Sequence, residues 1–103
     1  MIILDGIIGT GFVPPMREDL AAKMKVLRKW CSGKVLVAVD CPSGVDCESG
    51  LVDEHTLNAD ICVCMEAVKP GLLRFPAFNF AGEICQVDIG ILKKIHIEWT
   101  KVS

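Results

Sequence analysis

Three stretches of this sequence are apolar and rich in β-branched or small residues: Ile2-Ile3-Leu4, Lys34-Val-Leu-Val-Ala-Val-Asp40 and Ala59-Asp60-Ile-Cys-Val-Cys-Met65. A strand with one solvated face alternates apolar and polar residues, whereas an unbroken run is the pattern of a parallel strand covered by helices on both faces. The segments between the runs are long enough for crossovers, which are right-handed between parallel strands. The expected class is therefore α/β, with a three-layer α/β/α Rossmann-like parallel sheet. It is expected to be incomplete, because a strand opening at residue 2 has no earlier strand to pair with.

The remaining segments are read around these runs. Gly6 to Pro15 is a loop rich in Gly and Pro. Arg17 to Cys31 is predicted as a helix, since Leu20, Met24, Leu27 and Cys31 mark one apolar stripe and Ser32-Gly33 supplies a stop. Val45 to Asn58 is polar and aperiodic, a long functional loop with a helical turn near Glu54. Glu66 to Gly82 is a short helix or irregular crossover. Glu83 to Ile89 is a last strand whose polar alternation suggests a sheet edge. Residues 1–92 are expected to form the domain, and 93–103 a tail or the start of a linker.

Composition narrows the function classes. A net charge of -2 over 103 residues argues against nucleic acid as a partner. The basic cluster Lys23, Lys25, Arg28 and Lys29 is read as the solvated face of the helix. No apolar run approaches the roughly 20 residues of a membrane span, and the first residues lack the pattern of a secretion signal, so a cytoplasmic protein is expected. The six cysteines have no zinc-site spacing and are read as reduced, mostly buried thiols. His55 and His96 are expected to be surface residues.

Two strands end in Asp followed at once by a Gly-containing turn: Leu4-Asp5-Gly6, and Val39-Asp40-Cys41-Pro42-Ser43-Gly44. In open parallel sheets, ligands bind beyond the carboxyl ends of the strands. Taken singly, each Asp could equally cap its own turn. Taken together on neighbouring strands, they would point into one crevice. Asp5 and the Ser43 hydroxyl offer hard oxygens for a cation, and Asp40 is a candidate general acid/base. Gly9-Thr10-Gly11, followed by Phe12, Val13, Pro14 and Pro15, could admit an anionic ligand close to the backbone. It is not the complete dinucleotide fingerprint.

The ordered set Leu4-Asp-Gly-Ile-Ile-Gly-Thr-Gly11, Val37-Ala-Val-Asp-Cys-Pro-Ser-Gly-Val-Asp46, Asn58-Ala-Asp60, Lys69-Pro-Gly71 and Asp88-Ile-Gly-Ile91 resembles the C-terminal half of the YjeF N-terminal domain family, the NAD(P)HX epimerases. The resemblance implies an isomerase of metabolite repair that interconverts the R and S forms of hydrated NADH and NADPH. It implies a potassium ion held by Asp5 and Ser43, NAD(P)HX lying against Gly9 through Pro15, and contact of Asp40 with that substrate. The implied partners are this small nucleotide, a second copy in a homodimer, and a fused or separate NAD(P)HX dehydratase. The family's preceding half, with its Asn-Gly-Gly-Asp-Gly loop, has no counterpart in these residues. Cys41 replaces a residue that is usually apolar in the family and is read as packing. Lys69 matches the family's lysine and is read as solvated.

Two other readings stay open. The same fold serves as a non-catalytic dimerisation module in the enhancer-of-mRNA-decapping proteins, although a scaffold has no need of Asp5, Asp40 and Ser43 together. The chain could also be a truncated product without activity of its own.

Overall fold

A computed structural model describes residues 1–9, 11–65, 67–88 and 98–101. Its elements are β1 (Ile2–Asp5), α1 (Glu18–Cys31), β2 (Val35–Val39), β3 (Ile61–Met65), a 3₁₀ turn (Pro70–Leu73), α2 (Phe78–Ala81), β4 (Glu83–Asp88) and β5 (Glu98–Lys101). The strands form one sheet in the order β1-β2-β3-β4-β5. The first four are parallel and β5 runs antiparallel to β4. The strand expected at the sheet edge, β4, therefore lies between two neighbours. The segment beyond Leu92, which carried no recognisable pattern, contributes β5.

Burial alternates along β1, β2 and β3, so their side chains divide between two faces. On one face, the predicted stripe of α1 packs Met24, Leu20, Leu27 and Cys31 over Leu36, Ile3 and Leu57. Beside it, Ala38, Cys62, Cys64 and Ile84 are covered by Leu72, Ala77 and Ala81 from the 3₁₀ turn and α2. The termini of α1 suit its dipole, with Glu18 and Asp19 in the first turn and Arg28 and Lys29 in the last. It stops where Gly33 takes a φ of 77°.

The other face is bare over β1 to β3. Ile2 and Leu4 are 68% and 69% exposed, and Val35, Val39 and Met65 are also exposed. This differs from the burial on both faces that unbroken apolar runs predict, and topology supplies the reason. The parallel strands advance in one direction, and right-handed crossovers then place every connection on the same side. A second helical layer needs the strand order to reverse. The described residues contain no reversal, so the sheet is wound on one side only.

The segment read as a polar loop, Val45 to Asn58, is largely internal. Val45, Cys47, Asp53, Thr56 and Leu57 are buried, and Val45 bridges Val52. One cysteine expectation is corrected here: Cys41 and Cys47 are joined by a disulfide that closes the turn carrying Ser43. The other four are free, and Cys62, Cys64 and Cys85 are buried.

Candidate functional site at the carboxyl rim of the sheet

Register decides whether the two strand-terminal aspartates meet. Asp5 lies opposite Ala38, two residues before Asp40, so both strands deliver their aspartates to the same rim. The chain then turns through Pro42 and brings Ser43 back over the end of β1. The Ser43 amide donates to Asp5 Oδ2 at 2.9 Å, and its hydroxyl donates to Asp5 Oδ1 at 2.5 Å. That hydroxyl in turn accepts the Ile8 N–H at 3.0 Å, and the Ile7 N–H makes a longer contact with Asp5 Oδ1 at 3.4 Å. Asp5 and Ser43 are both essentially inaccessible to solvent. A buried carboxylate needs such donors, since an unpaired one would be costly to desolvate.

Asp40 sits on the adjacent strand but faces differently. It is the described non-glycine residue with positive φ, at 65°, a conformation that Asp tolerates better than most residues. The twist carries its carboxylate toward β3, where Oδ1 accepts the Met65 N–H at 2.8 Å. Oδ2 has no hydrogen bond within the described residues and is left at the half-exposed rim. The aspartates thus share a rim but not a partner: Asp5 is locked into the Ser43 turn, while one Asp40 oxygen has no hydrogen bond among the described residues.

Beneath Asp40, the Cys62 and Cys64 thiols each approach its carbonyl oxygen at 3.5 Å. Hydrogen bonding between the two sulfurs, with burial, pushes Cys62 far up and holds it protonated. The same bond draws Cys64 below its usual range against the opposing effect of burial, with a smaller contribution from Lys69. Lys69 precedes the 3₁₀ turn and is partly covered rather than fully solvated. The turn is docked by the Gly71 N–H, which donates to the Cys47 carbonyl at 2.6 Å.

Gly9 and Gly11 have open space around them, and Thr10 lies outside the described residues. Phe12 packs toward α1, Val13 is exposed, and Pro14-Pro15 lead to Met16. Gly11, Phe12 and Val13 line a cavity of about 380 Å³ with Asp46, Glu48 and Ser49. Two carboxyl groups in that lining suit hydroxyl or amide donors better than a phosphate. A larger cavity of about 550 Å³ lies at the opposite rim, lined by Arg28, Lys34, Leu36, Asn58 and Phe80 among others, and holds none of the predicted site residues.

Sequence reasoning missed one polar group here. Asp53 is buried and accepts the Met16 N–H at 2.7 Å, fastening the end of the Gly9 to Pro15 loop. It also accepts the His55 N–H and ring Nδ1, both at 2.9 Å. His55 is therefore half-buried and part of a network rather than a free surface residue, while His96 lies outside the described residues. Burial pushes Asp53 upward, but the amides of His55 and Met16 and the His55 ring outweigh it and leave the carboxyl below its usual range. The Asp-x-His spacing is that of a side chain bonding its own backbone two residues on, the one signal available in the sequence.

Residues 1–71 match the family described as YjeF-related protein N-terminus. The chain belongs to that family. The matched YjeF segment contains Asp5, Asp40, Ser43 and Lys69-Pro-Gly71 and ends before α2. One relative, the NAD(P)H-hydrate epimerase of Clavibacter sepedonicus, is 40% identical over 97 residues, which cover 87% of this chain and 42% of the relative. The bifunctional NAD(P)H-hydrate repair enzyme Nnr of Archaeoglobus fulgidus is 37% identical over 90 residues, covering 87% of this chain and 18% of that protein. The crystal structure of yeast YNL200c aligns with a TM-score of 0.64 at 26% identity, over 90% of this chain and 37% of that one. The chain thus spans about two fifths or less of the length of these YjeF relatives.

Proposed function

We propose that this chain carries the rim of an NAD(P)HX epimerase, interconverting the R and S forms of hydrated NADH and NADPH. The observation that carries the reading is the pairing of a buried Asp5–Ser43 couple with an Asp40 oxygen, on the neighbouring strand, that has no hydrogen bond among the described residues. The names of the relatives, epimerases and bifunctional repair enzymes, give the reaction class. On this reading residues 1–92 belong to the C-terminal half of the family's domain, the segment 93–103 adds β5 to the same sheet instead of forming a tail, and a dehydratase would be a fused or separate partner. A cytoplasmic location is proposed from the metabolite-repair reading alone, since four cysteines are free while Cys41 and Cys47 form a disulfide, and these point to opposite redox compartments.

Inversion at the hydrated carbon requires its bond to the hydroxyl oxygen to break and re-form on the other ring face. On this reading Oδ2 of Asp40 gives a proton to the departing hydroxyl, which leaves as water, and takes one back from the water that adds. The αL backbone and the Met65 amide fix the direction of that carboxylate. The Gly9 to Pro15 loop would lie against the nucleotide, with Asp46 and Ser49 available to its sugar hydroxyls.

Asp5 and Ser43 are hard-oxygen residues of the kind a potassium ion takes, but here their oxygens are buried and hydrogen-bonded within the Ser43 turn, so an ion would have to replace some of those bonds. They would supply two ligands, and a full shell of roughly six to eight oxygens needs others. When bound, the ion supplies fixed positive charge beside the rim.

The test is the rate of R-to-S interconversion of NADHX with this chain, with and without potassium. Asp40→Asn keeps the αL preference and the bond to the Met65 amide but changes the proton-transferring group. It is expected to slow the reaction by about a hundredfold or more. Equal rates for both proteins would remove Asp40 from the mechanism. A wild-type rate no faster than buffer would refute epimerase activity for this chain.

A further inference from the structure

We infer that Cys41 and Cys47 are a reversible redox site, opened and closed by exchange with a low-molecular-weight thiol and its disulfide, and that this exchange sets how firmly Ser43 is held over Asp5. The inference does not depend on the epimerase reading.

The chain joins one pair of cysteines and leaves four as thiols. Burial does not separate the two groups, because Cys41, Cys47, Cys62 and Cys64 all belong to one core cluster. Where thiols are kept reduced, the disulfides that do form are mostly transient, catalytic or redox-sensing, whereas small domains of oxidising compartments are dense in them. One bond beside four thiols matches the first case.

The bond closes a ring around the rim residues. Cys41 follows Asp40 directly, and the Cys47 carbonyl accepts the Gly71 N–H that docks the 3₁₀ turn. Ser43 lies inside the ring, and its amide and hydroxyl hold the two oxygens of Asp5. On the chain-entropy account, closing so short a ring favours the disulfide over the thiols by only about thirtyfold in the folded chain relative to the unfolded one. The turn is also shaped by bonds that involve no sulfur, from the Cys41 N–H to Val39 at 2.8 Å and from the Val45 N–H to Pro42 at 3.1 Å. The reduced turn therefore keeps its outline and holds the two thiols near each other, ready to rejoin.

In the opening direction, a thiolate of the reductant attacks one sulfur, the Cys41–Cys47 bond breaks and a mixed disulfide remains. A second reductant thiolate attacks the small-molecule sulfur of that mixed disulfide. The products are two protein thiols, each with one added proton, and one small-molecule disulfide that carries the oxidising equivalents away. The same steps in reverse restore the bond. Cys41 and Cys47 are 3% and 2% exposed, so attack requires the exposed turn at Glu48 and Ser49 to open first, and the exchange is slow.

The test equilibrates this chain in glutathione buffers of varied thiol-to-disulfide ratio, approached from both the oxidised and the reduced protein. Alkylation in denaturant followed by mass measurement should count six modified cysteines at the reducing end and four at the oxidising end, with both forms present between them. Peptide mapping should place the bond between Cys41 and Cys47. The Ile8 and Ser43 amides, which donate to Ser43 and Asp5, should exchange their hydrogens about tenfold or more faster in the reduced form. Cys47→Ser should show the faster exchange in every buffer, and Cys41→Ser replaces it if that variant fails to fold. Four results would overturn the proposal: a bond that survives excess reduced glutathione at equilibrium; a bond that never forms in excess glutathione disulfide; a bond between other cysteines; or equal protection of Ile8 and Ser43 in both states.

Discussion

Ser43→Ala isolates the contact on which the rim depends. The change removes a hydroxyl that donates to Asp5 Oδ1 and accepts from the Ile8 amide, leaving Asp5 with the Ser43 N–H at 2.9 Å and the long Ile7 contact at 3.4 Å. A hydrogen bond to a charged group contributes roughly 1.5–3 kcal/mol, and the site is too buried for water to replace the hydroxyl freely. The expected loss is about 2 kcal/mol, which for a domain of this size lowers Tm by roughly 8–16 °C. Urea titrations at one fixed protein concentration would measure it, so that any self-association is held constant. Asp5→Asn and the double variant complete a thermodynamic cycle, in which the coupling should reach about 1 kcal/mol or more. A Ser43→Ala protein within about 0.5 kcal/mol of wild type, or a coupling near zero, would refute the claim that this pair fastens the turn to β1.

Three further outcomes follow from neighbouring contacts. Gly71→Ala would drive a methyl group into the Cys47 and Asp46 backbone, so chemical denaturation should show a loss of about 3 kcal/mol or more, and wild-type stability would contradict that close approach. Reducing the Cys41–Cys47 disulfide reopens a loop of six-residue separation and should cost about 2 kcal/mol on the chain-entropy account, measurable as a lower urea midpoint in dithiothreitol that Cys47→Ser reproduces. Asp53, whose folded pKa is held below the ordinary aspartate range by the His55 and Met16 amides and the His55 ring, contributes stability that is fully present above that range and is lost as pH falls through the lower folded pKa. Unfolding titrations from pH 7 to pH 2 should therefore show a decline in the most acidic range that is shallower in Asp53→Asn.

Local pattern was enough to locate β1, α1, β2 and β3, because apolar period and length specify an element wherever its own residues dominate the packing. The helix stripe through Met24 and the common rim of Asp5 and Asp40 were readable for the same reason. What escaped were contacts between distant residues or between groups with no period. The 2.7 Å bond from Met16 to Asp53 spans 37 positions, and the bond between Cys41 and Cys47 depends on a turn shape that cysteine spacing does not encode. The direction of the Asp40 carboxylate depends on a single dihedral, φ 65°, which residue identity permits but does not require. The uncovered face was hidden in a different way. Its residues are patterned for two neighbouring layers, and only the topology reveals that the connections supply one.

That one-sided winding bears on chemistry as well as solubility. In a doubly wound sheet the ligand crevice opens where the winding changes hand, and among the described residues β1, which bears Asp5, is an edge strand. Whatever comes to rest along this seam would border the turn that buries that carboxylate. A molecule docked there would sit beside the Asp5–Ser43 couple without touching Asp40.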